Sequence, residues 1–249
     1  MAKLVLRKDD HGLCTLLLNR PEKLNAISIE LFNDLRVHVE ALEKQFDTIG
    51  CVVLRGNGRC FSAGHDLGAI GAGGETTAET ARFESETVER LANLPMPVIT
   101  AVHGHCYTGA LELALVGDII IAAKSARFAD THGKWALTPI WGLSQRLPRR
   151  VGVNKAKEMM FTTRTYTGEE AAAMGLANMC VPDENFDAEV EKLARTILAT
   201  SWFSNRANKK LLLKTDGMAL GEGLRYEVDH NEGIGPDAAE RISAFGKKK

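Results

Sequence analysis

The feature that most constrains this chain is a pair of short apolar runs separated by one amphipathic stretch. CTLLLN (14–19) and CVVLR (51–55) read as short, largely buried strands. Between them, SIELFNDLRVHVEALEKQF (28–46) places apolar residues at 31, 32, 35, 39 and 42 behind a Ser28 cap, the spacing of a helix with one buried face. Two strands joined by a helix cannot close as a tight hairpin, so the crossover predicts a parallel pair. The theme recurs with a helix around 80–94, a strand over 98–102, a helix around 109–116 and a strand over 119–122. Residues 68–78, GAIGAGGETTA, read as a mobile glycine-rich loop. Beyond Pro182 the character changes: FDAEVEKLARTILAT, SNRANKKLLLKT and GEGLRYEVDHNEG are helical patterns with no strand between them. The expectation is an α/β core over 1–185 followed by a helical region over 186–249.

Composition narrows the functional classes. A net charge of -1 gives no electrostatic reason to expect nucleic acid or an anionic membrane as partner. No apolar run approaches the roughly 20 residues of a membrane helix, and MAKLVLRKDDHG meets charge too early for a signal peptide. The 5 cysteines are widely spaced without a CxxC pair, which predicts free packing thiols and a cytoplasmic setting.

Three segments hold candidate chemistry. In GNGRCFSAGHDL (56–67) a tight turn follows a strand, but GxGxxG fails because Phe61 stands at its last position, and no GxxxxGK[ST] occurs. The small residues Ala63 and Gly64 either pack against a helix or leave the Ala63 amide free to donate to an anionic oxygen. In HGHCYTGALELAL (103–115) a loop carrying Thr108 leads into a helix that opens at Gly109, whose amide faces outward. Glu112, one turn on, is either a first-turn capping carboxylate or an acid/base group; the helix dipole favours its ionised form and apolar neighbours oppose it. His103 and His105 would share a strand face, but no third ligand sits at a metal-binding spacing, so no metal site is expected. In ARFADTHGKW (126–135), His132 is either a hydrogen-bonded lining residue or a group that moves a proton. Two amides from separate loops beside a carboxylate are what thioester enolate chemistry requires, because charge builds on the carbonyl oxygen as Cα or Cβ reacts.

NRPEKLNA (19–26), FSAGHDL (61–67), PVITAVHG (97–104), TGALELAL (108–115), GDIIIA (117–122) and SQRLPRRVG (144–152), in this order, resemble the crotonase, or enoyl-CoA hydratase/isomerase, superfamily. The resemblance runs through GLANMCVP (175–182) and weakly into the C-terminal helices. It implies a spiral of ββα units with a trimerising helical C-terminus, commonly paired into a hexamer. It also implies an acyl-CoA thioester as substrate, with coenzyme A part of that substrate and no separate cofactor. By position, the oxyanion hole falls on the Ala63 and Gly109 amides. Thr108 lies beside it, and the CoA moiety falls along Lys23, Leu24 and the backbone of Ala63, His65, Asp66 and Leu67. Lys247 or Lys248 would reach phosphate on a neighbouring subunit. Of the two glutamates of the family's hydratases, one falls on Glu112 and the other on His132. Bulky Ile140 and Trp141 replace a glycine-rich turn and either shape the acyl pocket or pack beneath the helix that follows. His65 matches the AGHD turn of some decarboxylating members, but their later tyrosine is missing. The implied activity is enoyl-CoA hydration, with isomerisation, decarboxylation or acyl-CoA binding without turnover as alternatives.

Overall fold

The computed structural model describes residues 3–68 and 77–246. Of the expected mobile loop, residues 69–76 lie outside the described residues, as do Lys247 and Lys248.

The large sheet runs β1 (Val5–Asp10), β2 (Leu13–Leu18), β3 (Cys51–Gly56), β4 (Val98–Val102), β6 (Ile119–Ala123) and β9 (Met179–Val181). β2 through β9 pair parallel, as the crossover pattern predicts. β1 pairs antiparallel to β2 through a turn at His11 and Gly12, both at positive φ. This hairpin was not legible in VLRKDD, because an edge strand with one solvated face carries four charges and shows no apolar run. A smaller sheet runs β5 (His105–Tyr107), β7 (Arg127–Ala129) and β8 (Tyr166–Thr167).

The two sheets are wound together. β4 enters the large sheet, β5 the small one, and α3 (Gly109–Ala114) follows; β6 and β7 repeat the step before the chain reaches α4 (Leu143–Val151). β3 does the same in reduced form: Ser62 bridges Cys106 of β5, and α2 (Ala78–Ala92) comes next. This is the ββα spiral that the motif order implies.

Both faces of the large sheet are covered, so its strands read as continuous apolar runs. Val52 and Leu54 point into a core shared with α1 (Ile29–Leu42), where Leu31, Phe32, Leu35, Val39 and Leu42 are buried and Ser28 caps the Leu31 amide. Cys51 and Val53 point the other way, against Phe186, Val190 and Ala194 of α7 (Phe186–Ala199). The chain also adds α5 (Val153–Thr162) and α6 (Gly168–Ala173), the latter opened by a Thr167–Glu170 capping box. α8 (Trp202–Thr215), α9 (Leu220–Asp229) and α10 (Ala238–Gly246) follow and leave Leu212, Leu220, Val228, Ile242 and Phe245 at least 72% exposed in the single chain. Among the described residues no helix is long and apolar enough to cross a membrane.

Candidate active site

Turns that follow the carboxyl ends of β3, β5 and β7 meet at one cavity of about 610 Å³. Its lining includes Lys23, Ala63, His65, Asp66, Leu67, Thr108, Gly109, Glu112, His132, Ile140 and Trp141, so nearly all candidate residues are brought together. Leu24 is the exception, contributing a backbone carbonyl behind the cavity wall rather than lining it.

The 61–67 turn is held from below by Asn25, which is fully buried. Its side-chain amide donates to the carbonyls of Asn57, Cys60 and Phe61 at 2.9–3.1 Å, and its oxygen accepts the Arg20 amide at 2.9 Å. Buried carbonyls of an irregular turn need donors, and one asparagine at positive φ supplies them. NRPEKLNA therefore has a local physical task, tying the turn in place. Arg20 adds an ion pair to Asp66 at 2.8 Å and thereby holds that carboxyl below its ordinary range.

One expectation is corrected here. The Ala63 amide is not accessible: it donates to the Leu24 carbonyl at 2.9 Å. The Gly64 amide goes to Ser62 Oγ at 3.1 Å and the Asp66 amide to the Ile27 carbonyl at 2.9 Å. The parallel bridge between Ile27 and His65 uses the residues flanking His65 and turns its own N–H away. No acceptor among the described residues takes the His65 or the Gly109 amide. The free donor of this turn is thus two residues later than small size alone suggested. The two amides belong to touching segments: a Cβ on Gly64, which sits at φ +99°, would lie 2.5 Å from the Tyr107 oxygen and 3.6 Å from the Gly109 nitrogen.

Glu112 is 2% exposed. It does not cap its own helix. Instead Oε1 accepts the amides of Trp141 at 2.8 Å and Leu143 at 3.2 Å, which leaves Oε2 turned toward His132. Burial raises the Glu112 pKa, against the opposing pull of His132 and the two backbone donors. Desolvation therefore outweighs the groups that favour the ionised form, His132 and the Leu143 and Trp141 amides.

His132 lies in a short 3-10 turn, His132–Lys134, and is buried. Its Nδ1 lies 2.6 Å from Asp130 Oδ1, which also accepts the His132 amide at 3.1 Å. A carboxylate at Nδ1 assigns the proton to that nitrogen and leaves Nε2 for chemistry. Nε2 stands 3.7 Å from Glu112 Oε2, beyond a direct hydrogen bond and close enough for one water to bond to both. Asp130, 1% exposed, escaped sequence reading. Its signal was an aspartate two residues before a histidine, the spacing at which a side-chain oxygen caps a backbone amide. Thr108, at φ 55°, and Thr131 share a hydroxyl–hydroxyl contact that ties the two turns together.

Of the two roles foreseen for Trp141, the cavity-lining one is seen, whereas its ring packs on α1 rather than beneath the helix that follows, edge-on to Phe32 with centroids 4.8 Å apart. The HxH pair does not share a strand face. His103 lies past the end of β4 with Nε2 on the Gly58 carbonyl at 2.8 Å, whereas His105 in β5 meets the Tyr107 hydroxyl at 3.0 Å. Among the described residues no group of three or more His, Cys, Asp or Glu side chains is arranged to hold a metal.

A family model described as enoyl-CoA hydratase/isomerase matches residues 8–245. A 1,2-epoxyphenylacetyl-CoA isomerase of Escherichia coli K12 is 34% identical, with 100% of this chain and 97% of that protein covered. A crotonyl-CoA hydratase of Syntrophomonas wolfei is 30% identical, covering 94% of this chain and 87% of the relative. The crystal structure of an enoyl-CoA hydratase from Bacillus anthracis matches with a TM-score of 0.93 at 29% identity, over 99% of this chain and 97% of that one. Motif order, ββα spiral and whole-length similarity agree: the chain belongs to the enoyl-CoA hydratase/isomerase family of the crotonase superfamily.

Proposed function

We propose that this protein adds water reversibly to a 2-enoyl-CoA thioester, and that it does so with a glutamate and a histidine where the family's hydratases use two glutamates. The observation that carries this reading is the convergence of Glu112 Oε2 and His132 Nε2, 3.7 Å apart, on a cavity that also receives two unpaired amides. The thioester oxygen is held by the His65 and Gly109 N–H groups, which stabilise the negative charge it gains as Cβ is attacked. Glu112 takes a proton from water as its oxygen bonds to Cβ. The imidazolium of His132, its Nδ1–H held by Asp130, delivers its Nε2 proton to Cα and becomes the neutral imidazole. The proton held by Glu112 then returns to His132 through a bridging water, and both groups are reset.

The CoA moiety is assigned to the rim near Lys23, Asp66 and Leu67, with no cofactor beyond the coenzyme A of the substrate. The exposed apolar residues of α8, α9 and α10 support assembly into a homotrimer or hexamer. Five free cysteines, four of them buried, support a reducing, cytoplasmic setting. Isomerisation is the second reading, favoured by the 34% identity to the Escherichia coli isomerase; it would use the same amides and pass one proton between two carbons.

The test is a panel of short, medium and aromatic enoyl-CoA thioesters, followed by loss of the conjugated thioester absorbance with product identification. Hydration yields a 3-hydroxyacyl-CoA. A rearranged product of unchanged mass selects the isomerase reading, and saturable binding without turnover across the panel overturns both.

A further inference from the structure

The helix α2 carries a charged residue where its pattern calls for an apolar one. Its buried stripe is Glu84, Thr87, Val88 and Leu91, and Glu84 is only 3% exposed. Carboxylates are rarely buried unless a partner holds them. Glu84 Oε2 accepts the indole N–H of Trp141 at 3.2 Å, and its other oxygen lies 3.8 Å from His65 Nε2.

Trp141 is therefore gripped at one end by Glu84, while its backbone N–H grips Glu112 Oε1 at 2.8 Å. Its ring also lies against the oxyanion segment, since a Cβ on Gly109 would fall 2.5 Å from the indole. Through one side chain, α2 thus fixes both the carboxylate and one of the free amides.

We infer that Glu84 is a positioning residue: by anchoring the Trp141 indole it holds the Trp141 amide on Glu112 and seats the ring against Gly109. The inference rests on the reading of Glu112 as the water-activating group. Glu84 itself need not touch substrate. Its role is to remove the rotational freedom of a bulky side chain whose main chain orients the base, and orientation errors well below an ångström lower turnover.

Three variants separate this from a merely structural role. Glu84→Leu removes the indole acceptor. Trp141→Phe removes the indole N–H while keeping an aromatic ring, and serves also if Glu84→Leu does not fold. Glu84→Gln keeps an acceptor and removes the charge. Glu84→Leu and Trp141→Phe are expected to lower kcat about tenfold with KM within about twofold, the scale of losing an orienting partner. Glu84→Gln should stay near wild type. The double variant should be no worse than the poorer single one, because both remove the same contact.

The acid limb of the pH–rate profile should move upward in Glu84→Leu and Trp141→Phe, since a loosened amide no longer lowers the Glu112 pKa; His132 and Asp130, which also face Glu112, are unaltered in all three. Unchanged kcat and acid limb in Trp141→Phe, multiplied losses in the double variant, or a KM effect without a kcat effect would each overturn the inference. Titration of Glu112 by carboxyl-carbon NMR in the same variants reads the link without turnover. An unmoved Glu112 there refutes the positioning role, whereas full activity in Glu112→Gln refutes the reading on which it rests.

Discussion

Replacing Glu112 by glutamine separates chemistry from stability within one residue. A glutamine oxygen at the Oε1 position keeps the bonds from the Trp141 and Leu143 amides, at 2.8 and 3.2 Å, so the 141–143 segment stays satisfied. What disappears is the basic oxygen 3.7 Å from His132 Nε2. A positioned proton-transfer group contributes about 10²–10⁴-fold, or roughly 3–5 kcal/mol of barrier. Turnover in Glu112→Gln should fall by that factor at unchanged KM. Stability should move the other way. Burial holds the folded Glu112 pKa above its ordinary value. A carboxyl raised in this sense favours folding below its unfolded pKa and loses that contribution as pH rises through the folded value. Above both, ionised Glu112 burdens the fold and an uncharged glutamine does not. The assay pairs enoyl-CoA hydration kinetics with thermal unfolding at pH 5 and pH 8, the Tm difference between variant and wild type growing in the variant's favour at the higher pH. Full turnover in the variant, or a lower Tm at pH 8 than the wild type, would refute the reasoning.

His132→Ala should lose about 10²-fold in kcat; full activity in the alanine variant would make His132 a lining residue. Asp130→Asn removes the charge from the 2.6 Å contact at Nδ1 and should cost about 10–10² in kcat with KM kept; wild-type kcat would show that the imidazole needs no orienting carboxylate. Asn25→Ala strands three carbonyls of the 56–61 turn, two of them buried, and should lower unfolding stability by about 2–3 kcal/mol in urea denaturation; a change under 0.5 kcal/mol would mean that water replaces those bonds.

The parallel core was legible because its causes are local or periodic. The apolar stripe expected at 31, 32, 35, 39 and 42 of α1 is the part buried, and the runs at 51–54 and 98–102 are apolar because both sheet faces are covered. Short elements were not legible: β5, β7 and β9 have 3 residues each, too few for a period to show. Among site residues, Glu112 and His132 emerged from motif order, but Asp130 and Glu84 did not. Asp130 had only a two-residue spacing to mark it, and the partner of Glu84 appears only when distant segments meet: Glu84 and Trp141 are 57 positions apart.

The sequence by itself determined the family and the parallel sheet and singled out Glu112 and His132 as candidate proton carriers, since these rest on residue type and order. Which amides are free was decided only in three dimensions. Ala63 and His65 lie two residues apart in one turn, and nothing in AGHD states that the first meets Leu24 while the second faces the cavity. The same holds for His132. Its chemistry is carried by a ring any histidine has, and its role by a carboxylate at 2.6 Å and another at 3.7 Å. Tertiary packing sets such distances, because a hydrogen bond is directional and short-ranged whereas a sequence motif records only neighbours along the chain.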